Sequence, residues 1–223
     1  AVVADLDVRA ALRKGAIWLE MSSVKPDEAR AQREHLAVFG VQHLDAPVSG
    51  GTRGAEAGTL AIMVGGDRDV FDAAAPVMQA MGRPVYVGPS GAGQLAKLAN
   101  QGIVATTIGA VAEAMLLLEE GGADPAAVRD ALKGGFADST ILQQHGERMT
   151  ERNFAPGGLS RIQLKDLDNL LEQAASLDLE LPLSLDLRKR FAHLCEEMDG
   201  GDIDHSGLYL ELRERNKRKG TDT

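Results

Sequence analysis

The chain has 223 residues, 44% of them hydrophobic and only 4% aromatic, with a formal net charge of −9 at pH 7. That length allows one or two domains, with a core built from Ala, Leu, Val and Met. The acidic balance leaves no basic cluster except the tail Arg213–Lys219, which argues against nucleic acid as a partner.

The periodicity predicts a helix over Ala4–Lys14, stopped by Gly15, and then a strand, Ala16–Met21, ending at Ser22-Ser23. Pro26 suits a first helical position, and the amphipathic run Pro26–Phe39 is closed by Gly40. Val41–Asp45 reads as the next strand, leading into a loop, Ala46-Pro-Val-Ser-Gly-Gly51. Thr59–Val64 is a strand ending at Gly65-Gly66, Asp69–Met81 a helix, and Val85–Val87 the last strand. Strands and helices alternating up to about residue 88 signal an α/β sheet.

After Gly93 the period changes. Gly93–Glu120 reads as one helix about 40 Å long, at about 1.5 Å per residue. Its small residues Gly102, Ala105, Gly109, Ala110, Ala112 and Ala114 would admit a close neighbour. Asp124-Pro125 caps a helix running to Lys133 before Gly134. Further helices are expected over Ser139–Thr150, Arg161–Ser176, Pro182–Met198 and His205–Arg218, the last fraying into the tail. An α/β part is therefore followed by an all-α part, joined by the long helix.

The single cysteine, Cys195, reads as a buried helical thiol, which excludes a disulfide framework and suits a reducing compartment. The apolar stretch Gly102–Leu118 carries Thr106, Thr107 and Glu113 and reads as a buried helix rather than a membrane span. The chain opens Ala1-Val-Val-Ala, without Met and directly in a helical pattern. The expectation is that an upstream segment of the native protein precedes Ala1.

The chemistry concentrates in the segment Gly88-Pro-Ser-Gly-Ala-Gly-Gln-Leu-Ala-Lys-Leu-Ala-Asn-Gln101. It places Lys97 in the first turn of a helix at a sheet edge, where ligands of α/β proteins bind. An exposed lysine is the ordinary reading; the neighbours Leu95, Ala96, Leu98 and Ala99 favour burial and a proton donor. Asn100 and Gln101, three and four residues on, share its helix face. Gly91-Ala-Gly-Gln-Leu-Ala96 matches G-x-G-x-x-A. A dinucleotide fingerprint needs a further strand and an acid about 20 residues on. Here that region is unbroken helix. The glycines instead allow a tight turn with free backbone N–H groups facing an anion.

Ser49, Gly50 and Gly51, after a strand, suit a carboxylate cradle, or equally an ordinary glycine loop. Ser22-Ser23 follows a strand on the same sheet edge and is equally a cap signal. Lys165-Asp166 reads as a helix-surface charge pair. The five histidines, 35, 43, 145, 193 and 205, show no ligand spacing, with His145 and His205 heading loops or helix starts, so no metal site is expected.

Together these motifs resemble the β-hydroxyacid dehydrogenase family, over residues 15 to 216. Met21–Pro26 is similar to its serine/threonine cofactor loop. Asp45–Gly51, continued by Ala57–Gly66, is similar to its substrate signature, Gly88–Gln101 to the catalytic-lysine segment, and Leu164–Leu167 to its late lysine motif. Gly134–Leu142, Asn153–Gly157 and Asp204–Ser206 echo the tartronate semialdehyde reductase branch.

The resemblance implies an α/β fold. Residues 1–90 would form part of a Rossmann-like NAD(P)-binding domain, and 91–223 an all-α substrate and dimerisation domain. It implies NAD or NADP as cofactor and hydride transfer to or from a small 3-hydroxy acid or semialdehyde. Lys97 would be the catalytic proton donor, and Ser49, Gly50, Gly51, Asn100 and Gln101 would bind a small carboxylate substrate. Ser23 and Lys165 would touch the cofactor, in a cytoplasmic homodimer or homotetramer with no membrane partner. Gln101 departs from relatives that carry Asn there. No G-x-G-x-x-G loop precedes Ser22 in these residues. That absence supports the alternative of a non-catalytic oligomerisation or binding module that has lost its cofactor. A second alternative is an imine or a longer hydroxyacid as substrate.

Overall fold

The computed structural model describes residue 8 and residues 11–217. The expected helix over Ala4–Lys14 falls mostly outside them, as does the tail after Lys217. Contacts divide the chain into two compact units, Ala1–Ala99 and Asn100–Thr223. The sequence had placed the boundary at 90/91.

The first unit is a five-stranded mixed sheet with helices. Its strands are β1 (Ile17–Glu20), β2 (Gln42–Asp45), β3 (Val48–Ser49), β4 (Leu60–Gly66) and β5 (Gly82–Gly88). β1 pairs parallel with β2, β4 runs antiparallel to β2 and β3, and β5 lies parallel to β4. Helix α1 (Pro26–Ala37) starts at its proline, with Asp27 and Glu28 in the first turn where the helix dipole favours anions. Helix α3 (Arg68–Gln79) buries Val70, Phe71, Ala74 and Met78 against Leu44, Ile62 and Val64 of the sheet. That apolar cluster holds the unit together.

The segment Ala46–Gly51 is not the expected loop. Leu44 and Asp45 face Gly66 and Gly65, and Val48 and Ser49 face Ile62 and Ala61, in one unbroken register. The strand therefore continues through Ala46-Pro47. Its ladder lapses there because Pro47 has no N–H, although the Pro47 carbonyl still accepts from Met63 N at 3.0 Å. A short helix, α2 (Gly51–Ala57), follows at once and was not expected from the sequence.

Helix α4 (Ala92–Glu120) begins in the first unit and runs through the second. It is the one helix among the described residues long and apolar enough to cross a membrane. Its residues Ala105, Ile108, Val111, Ala112 and Met115 are buried in the core of the second unit. Around them pack α5 (Pro125–Ala131), α6 (Thr140–Glu151), α7 (Ser160–Ala175), α8 (Pro182–Ala192) and α9 (Leu208–Lys217). Asp124 and Ser139 cap α5 and α6 through side-chain bonds to Ala126 N and Leu142 N, both at 2.9 Å. The helix expected to run to Met198 leaves α-geometry at His193, where a π-turn spans His193–Glu197. Cys195 sits in that turn and is half-buried rather than buried. The small residues of α4 fit close packing. A Cβ on Gly109 would lie 2.8 Å from Leu187, and one on Gly102 2.8 Å from Leu170.

Gly93 marks the tightest approach of α4 to the sheet. A Cβ there would sit 2.4 Å from the Asp45 carbonyl oxygen and 2.5 Å from that of Met63. Both are backbone atoms and cannot step aside. Gly93→Ala should therefore destabilise the fold by about 1–3 kcal/mol, read as a lower urea midpoint at unchanged slope.

Candidate active site

Asp45 closes β2 and is fully buried. Its carboxylate accepts from Gly91 N at 2.8 Å and from Gln94 N at 3.0 Å, so it caps α4 from the neighbouring strand. A buried anion is tolerated here because N–H donors and the positive helix end surround it. Gly65 must lack a side chain because its Cβ would fall 2.7 Å from Asp45 Oδ1. This corrects the expectation of free N–H groups at this turn. The donors of Gly91 and Gln94 are taken by the protein, and the glycines serve close packing.

The same turn reaches the β1 loop. Gln94 is fully buried, and its side-chain amide donates to Ser22 O at 2.8 Å and accepts from Val24 N at 3.1 Å. Ser23 lies between these two anchors. Glu20 and Asp45 are paired in register, so the loop after β1 leaves the sheet edge beside Asp45, where the second strand runs on through Ala46-Pro47 into β3. Ser49 ends β3 on the chain leaving that edge. Gly50 (φ 138°) and Gly51 (φ 61°) then turn the chain into α2 through conformations that favour glycine. Lys97 lies in the second turn of α4, not the first, and is half-buried between exposed Leu95 and buried Leu98.

Asn100 and Gln101 follow Lys97 on the same helix, in the second unit. Asn100 Nδ2 donates to Gln101 Oε1 at 2.9 Å, and Gln101 Nε2 donates to Asp166 Oδ2 at 2.7 Å. The other Asp166 oxygen lies 3.0 Å from the Lys165 ammonium. Asp166 is buried while Lys165 is about half exposed. Both ends of the Gln101 amide are thus engaged inside this unit. Sequence alone gives Asp45 and Gln94 no role and reads Asp166 as half of a helix-surface charge pair; the pair with Lys165 exists, but Asp166 is buried rather than on the surface. No local pattern marks them, and burial by the fold gives them their roles.

A second polar cluster was missed altogether. His145 lies in the middle of α6 rather than at its start, and its Nε2 is 3.3 Å from Nε2 of His205. Its Nδ1 faces the buried Asp204 carboxylate at 3.5 Å. Asp204 also accepts from Gly158 N at 2.9 Å, Ser206 N at 3.0 Å and Ser206 Oγ at 2.6 Å, with Arg148 3.9 Å away. His145, Asp204 and His205 stand close enough to share an ion. The carboxylate is nonetheless committed to these donors, and its negative charge favours the His145 tautomer protonated at Nδ1. Nε2 of His145 then accepts from His205. Burial works against ionised Asp204, but the donors from His145, Ser206 and Gly158 outweigh it and hold the group well below the usual carboxylate range. Burial, with His145 beside it, pushes His205 down to about 4.

His205 is thus neutral in the fold, whereas the unfolded chain binds a proton below 6.5. Stability should fall as pH drops from 6.5 towards 4, by at most about 1.4 kcal/mol per pH unit from this group. His205→Asn should flatten that slope in urea titrations run across the window.

Two family models match the chain. One, the NAD-binding domain of 6-phosphogluconate dehydrogenase, covers residues 1–88, and the other, the NAD-binding domain of NADP-dependent 3-hydroxyisobutyrate dehydrogenase, covers 91–212. The chain is 45% identical to 2-hydroxy-3-oxopropionate reductase of Escherichia coli, over 92% of this chain and 70% of that protein. It is 34% identical to a probable 3-hydroxyisobutyrate dehydrogenase of Mycobacterium bovis, over 94% of this chain and 73% of the relative. Among solved structures, 3-hydroxyisobutyrate dehydrogenase of Mycobacterium tuberculosis with L-serine superposes with a TM-score of 0.83 at 31% identity, covering 93% of this chain and 73% of that one. A non-catalytic module is not favoured by these matches. The chain belongs to the 3-hydroxyisobutyrate dehydrogenase-like family of β-hydroxyacid dehydrogenases and is an NAD(P)-dependent oxidoreductase of small hydroxy acids.

Proposed function

We propose that this enzyme interconverts 2-hydroxy-3-oxopropionate, also called tartronate semialdehyde, and its reduced hydroxy acid, with Lys97 as the proton donor. The observation that carries this reading is the shared sheet edge. The β1 loop leaves it beside Asp45, and the Asp45 carboxylate ties the start of the Lys97 helix to it. Ligands of α/β sheets bind outside such strand ends. The reductase of Escherichia coli, at 45% identity, supports the substrate class. The Mycobacterium tuberculosis relative solved with L-serine, itself a small 3-hydroxy carboxylate, supports it as well.

The residues present fit part of a dinucleotide site. Ser22-Ser23 sits at a carboxyl strand end with its backbone held on both sides by Gln94. Lys165 is a half-exposed cation anchored on the buried Asp166. Ser23 would contact the cofactor from this loop, and Lys165 is proposed on the family resemblance as a second contact to the cofactor. When bound, its nicotinamide supplies the hydride that reduces the aldehyde carbon. Lys97 donates a proton to the aldehyde oxygen as negative charge develops there. Ser49 and the backbone at Gly50-Gly51 bind the substrate carboxylate and aim the carbonyl. Asn100 orients the substrate, and Gln101, bonded to Asn100 and Asp166, supports that amide. The protein acts as a cytoplasmic homo-oligomer. Its half-buried lone thiol suits a reducing compartment, and Ile103 and Leu117 of α4, 67% and 74% exposed, offer apolar surface to a second subunit.

Lys97→Ala should leave the fold intact and lower kcat by about 10²–10⁴-fold, followed as loss of reduced-nicotinamide absorbance with 2-hydroxy-3-oxopropionate. Near-normal turnover would remove the lysine from the mechanism. A higher kcat/KM on the aldehyde of 3-hydroxyisobutyrate would reassign the substrate.

A further inference from the structure

We propose that Gln94 is the positioning residue that sets the cofactor loop at a fixed distance from Lys97. This rests on the reading of the Ser22-Ser23 loop given above. Gln94 stands on α4 three residues before Lys97, about 4.5 Å along the helix axis at about 1.5 Å per residue. Its amide is fully buried and bonds the loop at two peptide groups, donating to Ser22 O at 2.8 Å and accepting from Val24 N at 3.1 Å. A primary amide presents one donor and one acceptor side by side, as a peptide group of an adjacent strand would. Gln94 therefore bonds the loop as one rung of a neighbouring strand would, and among the described residues this loop is part of no strand pair.

The flanks of that segment are held locally. Ser22 N donates to Glu20 Oε1 at 3.0 Å and Lys25 N to Glu28 Oε2 at 2.9 Å. The peptide groups on either side of Ser23 are held by Gln94. Gln94 is fixed in turn, because its own backbone N donates to the buried Asp45 carboxylate at 3.0 Å. One residue thus joins the β1 loop, the end of β2 and the helix bearing the proton donor. A side chain with the same volume but no amide would fill the space and release the loop.

The test uses Gln94→Leu and Gln94→Glu. In the protein without cofactor, Gln94→Leu should speed hydrogen exchange of the Val24 amide by about tenfold or more, while amides of β4 keep their protection. Its affinity for NADH or NADPH, from nicotinamide fluorescence, should weaken by about tenfold. The pH profile of kcat should stay in place, since Lys97 is not altered. Gln94→Glu keeps the acceptor for Val24 but regains the donor for Ser22 only when protonated, so its cofactor affinity should recover as pH is lowered. Unchanged Val24 exchange in Gln94→Leu would overturn the positioning role. Faster exchange with unchanged cofactor affinity would keep Gln94 as the loop's anchor and overturn the placing of the cofactor on that loop. Loss of Lys97-dependent turnover is a separate measurement, so failure of the mechanism and failure of this inference remain distinguishable.

Discussion

The buried carboxylate of Asp45 at the N-terminus of α4 organises the first unit. An ion removed from water must find donors, and here two backbone N–H groups and the positive end of a 29-residue helix supply them. The contact forces α4 against the strand, and that closeness explains Gly65 and Gly93, where any Cβ would strike the carboxylate or backbone oxygens. A glycine-rich turn before a helix invites a phosphate-binding reading. Here its donors already hold an anion belonging to the protein itself.

The second unit repeats the same logic with side chains. Buried Asp166 holds Gln101 on one oxygen and Lys165 on the other, and Gln101 holds Asn100. Buried Asp204 organises His145 and, through it, His205, while it also secures Gly158 and Ser206. In each case a buried acid fixes the direction of groups that would otherwise sample several rotamers. Such pre-organisation lowers the cost of aligning reactive groups.

Much of the fold was legible in the chain. Period 3.6 marked α1, α3 and the helices from α4 onward, and Asp124, Ser139 and Pro26 marked starts that the structure uses. The short elements were not legible. β3 is two residues long and exists because β4 pairs with it in the register already set by β2. α2 begins at a Gly-Gly pair that reads locally as a loop. The π-turn at His193–Glu197 likewise leaves no periodic trace. Each of these depends on pairing or packing with residues distant in sequence.

The sequence by itself determined the order of the longer elements, the family motifs, and the choice of Lys97, Ser23, Lys165 and the Ser49–Gly51 corner as candidates. These are properties of local pattern and spacing, which survive in one dimension. Tertiary structure alone decided what the polar residues between those motifs do. Asp45 became a helix cap, Gln94 a loop anchor, Asp166 the hold on Gln101 and Lys165, and Asp204 the centre of a histidine pair. Their roles come from burial, because a carboxylate or amide out of water must satisfy its hydrogen bonds with whatever the fold brings near. Those partners lie 46 to 72 residues away for the two that shape the proposed site, beyond the reach of any local pattern.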